Sequence, residues 1–266
     1  MEHLISLNFS KRVSLVVCPI DDFTGERRSG ANIRVFLNDP NRKPVRKPYG
    51  YYVFTDLTED SYTLYVQSDI YRDECLEVQM NRLDRANPMV YVTLKPATCY
   101  PFLTGATLVR ASLRGNDGES VKGAEVTAVM LDEDCAIARI AQEGVEKGAT
   151  ELKIVSPAGR ISMGDIFLLK ERDGSASEYC RVVDLSGNMQ HLKLSGQLKA
   201  DYGRASLLMP AVKTYTDDRG EFVVYFRNCP CRRFDISLQF KYNDEVSVRE
   251  VKVEDGKVLN LGIVRV

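Results

Sequence analysis

SYTLYV, residues 61–66, places apolar side chains at every second position, namely Tyr62, Leu64 and Val66. A period of two is that of a β-strand with one buried face, because successive side chains point to opposite sides of the strand. FDISLQF, residues 234–240, shows the same alternation late in the chain. These two stretches predict matching strands, one in each half of the chain.

Short alternating segments rich in Val, Tyr and Thr surround both stretches, and turn residues separate them. In the first half we predict strands at 13–17, 31–36, 49–54, 61–66, 76–80 and 89–94, and in the second half at 107–113, 123–129, 218–224, 234–240, 246–253 and 258–264. GANIRVF at 30–36 matches GAEVTAV at 123–129, and PYGYYVF at 48–54 matches DRGEFVV at 218–224. The chain is therefore predicted to be all-β, with two copies of one sandwich.

The repeat also predicts which side chains fill the two cores. Val35 and Val53 are expected to be buried in the first sandwich. The corresponding positions of the second sandwich are Val126 or Val129, and Val223 or Val224.

The two copies differ in one connection. Phe36 and Gly50 are about 14 positions apart, whereas Met130 and Gly220 are about 90 apart, which is too long for an unstructured loop in a compact domain. We therefore predict a first sandwich at 1–98, a second at 99–131 plus 211–266, and a small β-barrel-like insert at 132–210. Within the insert we predict a short helix at 134–142, strands at 150–155, 165–169, 178–183 and 189–194, and turns at 157–159, 173–175 and 186–188.

The first half resembles the carboxypeptidase regulatory-like, prealbumin-like sandwich, and the segments that carry the resemblance are 24–25, 30–35, 50–57 and 61–66. It covers residues 10–95, and more loosely 106–131 and 211–266. The insert resembles a small β module of phage-tail and contractile injection particle proteins, through segments 148–152, 163–169, 178–183 and 192–198. The sandwich resemblance implies a prealbumin/immunoglobulin-like fold, which many functions share.

Composition limits the classes of function. The formal net charge of -1 provides no general attraction for nucleic acid or anionic lipid. No apolar run approaches the ~20 residues that cross a membrane, and the segment 1–22 does not resemble a signal peptide, so we expect synthesis in the cytoplasm. The seven cysteines form no disulfide framework, and most are expected to be small buried side chains.

No catalytic, cofactor-binding or metal-binding residue is predicted, and the chain is not expected to be an enzyme. The two histidines, His3 and His191, are too few for a hydrolytic zinc site, and His191 lies in a predicted strand. Cys229 and Cys231 form a tight pair, which we interpret as a turn between strands rather than half of a metal site. The acidic run 132–134 is a solvated linker or, as the weaker alternatives, a cation site or a pair of carboxylates that act in sugar hydrolysis.

A basic, proline-rich loop at 40–48 carries the candidate contact residues Arg42, Lys43, Arg46 and Lys47, with Tyr49 beside it. Basic and aromatic residues together can bind nucleic acid or anionic glycans. Contact with a neighbouring protein subunit, or simple solvation, is the favoured interpretation.

The function predicted from these features is that of a non-catalytic structural subunit of a phage-tail-like contractile injection particle. Its partners are then other protein subunits, with no nucleic acid, membrane span or small-molecule substrate. The alternatives are a glycan- or peptide-binding sandwich module and an accessory domain of an enzyme complex.

Overall fold

The computed structural model of the protein describes residues 12–28, 30, 32–155, 159, 161–186, 190–227 and 229–266. The chain forms two compact units, residues 1–101 and 102–266. The regular structure of the described residues consists of β-strands and three short 3₁₀ turns, at Pro48–Gly50, Met80–Arg82 and Glu133–Cys135. The predicted all-β fold class is confirmed.

The first unit is a sandwich of two sheets. Its strands are β1 Val13–Asp21, β2 Ile33–Leu37, β3 Val45–Lys47, β4 Tyr51–Thr55, β5 Ser61–Ser68, β6 Glu74–Gln79 and β7 Met89–Leu94. One sheet has the order β3-β4-β1-β7 and the other has the order β2-β5-β6. β7 runs parallel to β1, and the other pairs are antiparallel.

Strand β5 buries Tyr62, Leu64 and Val66, as its alternation predicted. Val35 is buried too, but Val53 is only half-buried. The prediction for Val53 was wrong by one residue, since Tyr52 and Phe54 fill the core instead. Because YYVF contains four apolar side chains in a row, its sequence does not show which alternate residues face the core. The register of the sheet decides this.

The proline-rich loop predicted at 40–48 contains one short strand. β3 pairs with β4 at the edge of its sheet, with Val45 opposite Val53 and Lys47 opposite Tyr51. An edge position is compatible with the flanking prolines, because these lack the backbone N–H that a central strand needs on both sides.

The second unit contains the other strands. They are β8 Thr107–Arg114, β9 Glu125–Met130, β10 Ala138–Ile140, β11 Gly144–Val145, β12 Glu151–Val155, β13 Ile166–Lys170, β14 Ser177–Ser186, β15 His191–Leu194, β16 Tyr202–Gly203, β17 Leu207–Tyr215, β18 Glu221–Phe226, β19 Arg233–Tyr242, β20 Glu245–Glu254 and β21 Val258–Arg265.

The sandwich of the second unit repeats the topology of the first. β18-β8-β21 corresponds to β4-β1-β7, and β9-β19-β20 corresponds to β2-β5-β6. In both units the last strand runs parallel to the first. At the two predicted core positions both alternatives are buried, Val126 and Val129 as well as Val223 and Val224. Two related sandwiches, the second interrupted by an insert, are therefore present as predicted.

The insert is a closed six-stranded barrel. Antiparallel pairs connect β10, β12, β15, β14, β13 and β17, and β17 pairs with β10 to complete the circle. Its interior is packed with apolar side chains, among them Leu152, Phe167 and Leu192. A small barrel closed in this way leaves no free sheet edge.

β17 was not predicted, and it connects the barrel to the sandwich. Its first half pairs with β13 and β10 of the barrel, and residues Ala211–Tyr215 pair with β9 of the sandwich. Leu208 packs in the barrel core, whereas Leu207 and Met209 pack in the sandwich core. The boundary between insert and sandwich therefore lies within one continuous strand.

The short helix predicted at 134–142 was wrong. The 3₁₀ turn Glu133–Cys135 and the strand β10 occupy this segment. The pairing of β10 with β12 and β17 outweighs a weak helical pattern, because helices shorter than about 12 residues are marginal without tertiary support.

The predicted turn at 173–175 is present, with Gly174 at a φ of 76°. The predicted turns at 157–159 and 186–188 fall largely on residues 156–158 and 187–189, which lie outside the described residues. His3 also lies outside them. No helix within the described residues is long and apolar enough to span a bilayer.

Candidate partner-binding surface

The basic segment Asn38–Gly50 is held in place at both ends. At its start, Asn38 accepts a hydrogen bond from the backbone of Thr63, at 3.1 Å. Asp39 then accepts the backbone N–H of Asn41 at 2.9 Å, and its carboxylate lies 3.6 Å from Nε of Arg42. These contacts turn the chain sharply after β2, so that it returns along β4 as the edge strand β3.

The end of the segment is a strained turn. Tyr49 has a φ of 64°, a left-handed conformation that is rare for a bulky residue, and its side chain is 84% exposed. Gly50 follows at a φ of 85°, and a Cβ there would lie 3.3 Å from the carbonyl oxygen of Arg28. Only glycine therefore allows the chain to pass so close to Arg28. The turn formed by Tyr49 and Gly50 leaves the aromatic side chain of Tyr49 in solvent.

The candidate residues are not all equivalent. Lys43, Arg46, Lys47 and Tyr49 are exposed, whereas Arg42 is half-buried and faces Asp39. Arg46 and Lys47 are neighbours in β3, so their side chains point to opposite sides of the strand. The structure therefore brings Lys47 to the outer face beside Tyr51, and separates it from Arg46.

A further cation, Arg27, joins this face and was not predicted. Its guanidinium lies 5.0 Å from the ring centroid of Tyr51 and donates a hydrogen bond to the Tyr51 hydroxyl. Lys47, opposite Tyr51 in the ladder, adds a second positive charge. The signal in the sequence that could have indicated Arg27 is the pair Arg27 and Arg28 directly after a turn. The side chains of these two neighbours point in opposite directions.

Arg28 enters a buried polar cluster around the carboxylate of Asp21. Oδ2 of Asp21 accepts hydrogen bonds from Nε of Arg28 at 3.0 Å, Tyr71 at 2.7 Å and Tyr100 at 2.6 Å. Oδ1 accepts the backbone N–H groups of residues 23 and 24 at 2.8 and 3.1 Å. Both carboxylate oxygens are thus fully engaged, so the cluster is an anchor for the loop that carries Arg27.

The electrostatics of this cluster follow from its contacts. Burial raises the pKa of Asp21, but hydrogen bonds from Tyr100, Tyr71, the backbone of Thr24 and Arg28 outweigh it, so the pKa lies below its ordinary value. Burial, and then the hydrogen bond to Asp21, raises the pKa of Tyr100 to about 12. A carboxylate that remains charged inside the sandwich keeps Arg28 in place.

The other groups considered from the sequence are dispersed. Oδ2 of Asp132 accepts the backbone N–H of Asp235 at 2.8 Å, and Glu133 lies 3.9 Å from Nζ of Lys170. His191 is exposed on β15, as expected of a strand histidine. Within the described part of the chain, no group of three His, Cys, Asp or Glu side chains could hold a metal ion.

Cys229 and Cys231 lie in the loop between β18 and β19, as predicted. A third thiol, Cys135, is buried next to them and is in hydrogen-bond contact with Cys231. Burial first, and then this contact, raises the pKa of Cys135, while burial raises the pKa of Cys229 to about 12. All seven cysteines are free. Cys18, Cys135 and Cys180 are buried, whereas Cys229 and Cys231 are half-buried and Cys75 and Cys99 are exposed, so fewer are buried than expected.

The chain shows a loose likeness to solved structures of pilin subunits. One is the shaft pilin SpaA from Lactobacillus rhamnosus GG, with 8% identity, coverage of 95% of this chain and 97% of that one, and a TM-score of 0.24. Another is BcpA, the major pilin subunit of Bacillus cereus, with 12% identity, coverage of 94% and 99%, and a TM-score of 0.23. At these TM-scores the likeness carries no conclusion about function.

No protein-family model matches the chain, and no curated protein matches it in sequence. The sandwich architecture that the resemblance implied is present. The link to the carboxypeptidase regulatory-like family and to phage-tail modules stays a prediction.

Proposed function

We propose that this chain is a non-catalytic structural subunit of a larger protein assembly, of the phage-tail-like contractile injection class, and that it is made in the cytoplasm. Its partners are other protein subunits, bound through the outer surface of the barrel and through the edge strand β3 and its flanks. There the exposed basic residues Lys43, Arg46 and Lys47, together with Tyr49, form a contact surface that includes both sides of the strand.

This proposal rests on the connection between strands at which the two sandwiches differ. Both have the same core strands, and both carry their largest elaboration in the same connection, between the second and third shared strands. In the first unit this connection is the basic segment Asn38–Gly50, and in the second it contains the barrel. A duplicated scaffold that varies at one connection is typical of a protein that acts through displayed surfaces.

The contact surface is suited to binding because it is both exposed and rigid. The β3–β4 ladder and the Asp39–Arg42 contact restrain the segment, and three prolines restrict its unfolded conformations. Rigid loops lose less conformational entropy when a partner binds. Tyrosine is enriched among the residues that dominate binding energy, so a tyrosine that is 84% exposed is a suitable anchor.

The chemistry of the surface specifies the partner. Lys43, Arg46 and Lys47 have no ion-pair partner among the described residues, so a complementary surface would present carboxylates. Tyr49 would enter an apolar recess between these carboxylates of the partner. An acidic protein surface with such a recess fits both features.

The test is incorporation of the chain into particles in the cell that produces it. Sedimented particles should contain the wild-type chain, and the triple variant Lys43→Glu/Arg46→Glu/Lys47→Glu should reduce its amount about tenfold. Arg34→Glu/Arg82→Glu/Arg85→Glu is the matched control, because it makes the same change in charge and all three arginines are exposed in the same unit. A wild-type chain that never sediments with particles contradicts the phage-tail assignment, and equal incorporation of all three contradicts the contact surface.

Deletion of the barrel tests whether the barrel makes a contact that assembly requires. Val129 and Ala211 are paired at the end of the β9–β17 ladder, so a short turn replacing residues 131–209 closes a hairpin there. The sandwich should fold with reduced stability, since Leu207 and Met209 leave its core. Normal incorporation of the folded deletion variant would show that the barrel makes no required contact.

One observation favours the second candidate function, a glycan-binding module. Arg27 stacked on Tyr51 beside Lys47 combines a ring face with positive charge, which suits an anionic sugar. Titration of sulfated and uronic-acid oligosaccharides into the wild type and Tyr51→Ala tests it. Saturable binding that the variant loses would favour this function over the structural one.

A further inference from the structure

β20 is a long and regular strand at the edge of its sheet. It pairs with β19 through ten consecutive residues without a register shift, and it is the terminal strand of its sheet. By contrast, β3 has three residues between prolines, and β21 has a register shift between Asn260 and Ile263. Short length, prolines and bulges prevent edge-to-edge pairing, and β20 has none of these three; its protection is limited to charged side chains such as Arg249 and Lys252.

The exposed face of β20 is apolar near the hairpin that precedes it. Val246 is 51% exposed and Val248 is 62% exposed, and both point to the same side of the strand. Between them, the hydroxyl of Ser247 is buried on the opposite face and has no hydrogen-bond partner among the described residues. A buried hydroxyl without a partner is uncommon in a completed structure.

The sequence of β20 around Ser247 is self-complementary. When two copies run antiparallel about a two-fold axis at Ser247, Val246 lies opposite Val248 twice, and Glu245 lies opposite Arg249 twice. The two Ser247 side chains then face each other, at the 4.5–5.5 Å Cβ separation at which cross-strand serines can hydrogen-bond. Axes at Arg249 or at Glu250 would instead place like charges opposite each other.

We propose that two copies of this chain associate by pairing their β20 strands antiparallel about Ser247, which continues the sheet across the interface. The backbone groups on the free side of β20 supply the hydrogen bonds, and the valines and the charged pairs set the register. This surface does not include Arg42–Tyr49 or the barrel, so the inference does not depend on the proposed function. The interface is small, and we expect a weak dimer that forms at high local concentration.

Sedimentation velocity of the full chain over a range of concentrations tests the proposal. The wild type should show a concentration-dependent dimer, and Val248→Lys should weaken it about tenfold, since a charge would enter the apolar contact. Val258→Lys on β21 is the matched control, because Val258 is 57% exposed on the edge that carries the bulge. A wild type that stays monomeric at its solubility limit, or equal effects of both variants, would overturn the proposal.

Charge exchange tests the pairing itself. Glu245→Arg and Arg249→Glu should each weaken the dimer about tenfold, because two attractive pairs become repulsive, and the double variant should restore it. A surface effect unrelated to this pairing would leave the double variant as weak as the single ones. Far-ultraviolet circular dichroism confirms that each variant is folded.

The register is tested by cross-linking in a background in which the exposed Cys75 and Cys99 are replaced by serine. Ser247→Cys should form a covalent dimer on mild oxidation with diamide, whereas Val251→Cys should not. Cross-linking at Val251 alone would place the axis elsewhere and overturn the stated register. Absence of cross-linking at both positions in a chain that sediments as a dimer would exclude β20 from the interface.

Discussion

The hydroxyl of Tyr100 donates a 2.6 Å hydrogen bond to the carboxylate of Asp21, although 79 positions separate them in the sequence. This contact joins the end of β1 to the last residues of the first unit. Since Arg28 binds the same oxygen, the cluster also fixes the loop that presents Arg27.

Removal of this buried carboxylate should be strongly destabilising. Asp21→Ala leaves Arg28 and two tyrosine hydroxyls without their partner, and should lower the free energy of unfolding by about 3–5 kcal/mol. Tyr100→Phe removes one hydrogen bond and should cost about 1–3 kcal/mol. Denaturant unfolding followed by tyrosine fluorescence measures both, since the chain contains no tryptophan. Tyr91→Phe, on an exposed side chain, should change nothing measurable.

The same cluster predicts loss of stability in acid. The pKa of Asp21 is lowered in the folded state, so its contribution is present above the unfolded value of about 3.9 and is lost as the pH falls through the folded pKa. The wild type should therefore lose stability more steeply below about pH 4 than Asp21→Asn does. Parallel curves for the two proteins between about pH 5 and pH 2 would contradict the assigned shift.

The register of β4 predicts a contrast between neighbours. Phe54 is buried, and Phe54→Ala should cost about 3–5 kcal/mol through the cavity that it leaves. Val53 is half-buried on the other face, so Val53→Ala should cost less than about 1.5 kcal/mol. Chemical unfolding of both variants gives the comparison, and a larger effect at Val53 would show that the strand faces the other way.

Thiol reactivity should follow burial. Cys75 is exposed and should react with a maleimide at least about tenfold faster than Cys180 or Cys135, whose pKa values are raised chiefly by burial. Peptide mass spectrometry after brief labelling of the native protein identifies the modified residues. The denatured protein should label at all seven cysteines. Fast native labelling of Cys135 would indicate that its 3₁₀ turn opens readily.

Much of the fold was predictable because period-two alternation is a local property. Strands such as β5, β7 and β19 appear where the alternation placed them, and the matching segments revealed the duplicated sandwich. The excess length between Met130 and Gly220 predicted the insert, and the alternating segments and turns within it predicted a small barrel. The contact surface was predicted as a cluster of charges and prolines, without Arg27 or the orientation of each side chain.

The sequence by itself determined that the chain is a pair of related β-sandwiches with a β insert, since hydrophobic period and turn residues are encoded locally. The tertiary structure alone decided which face of β4 is buried and that β17 is a strand. It also brought Arg28, Tyr71 and Tyr100 together around Asp21. Each of these depends on which strands become neighbours, and pairing between distant segments leaves no local signal. β17 shows this most clearly, because one half forms a strand by pairing in the barrel and the other half by pairing in the sandwich.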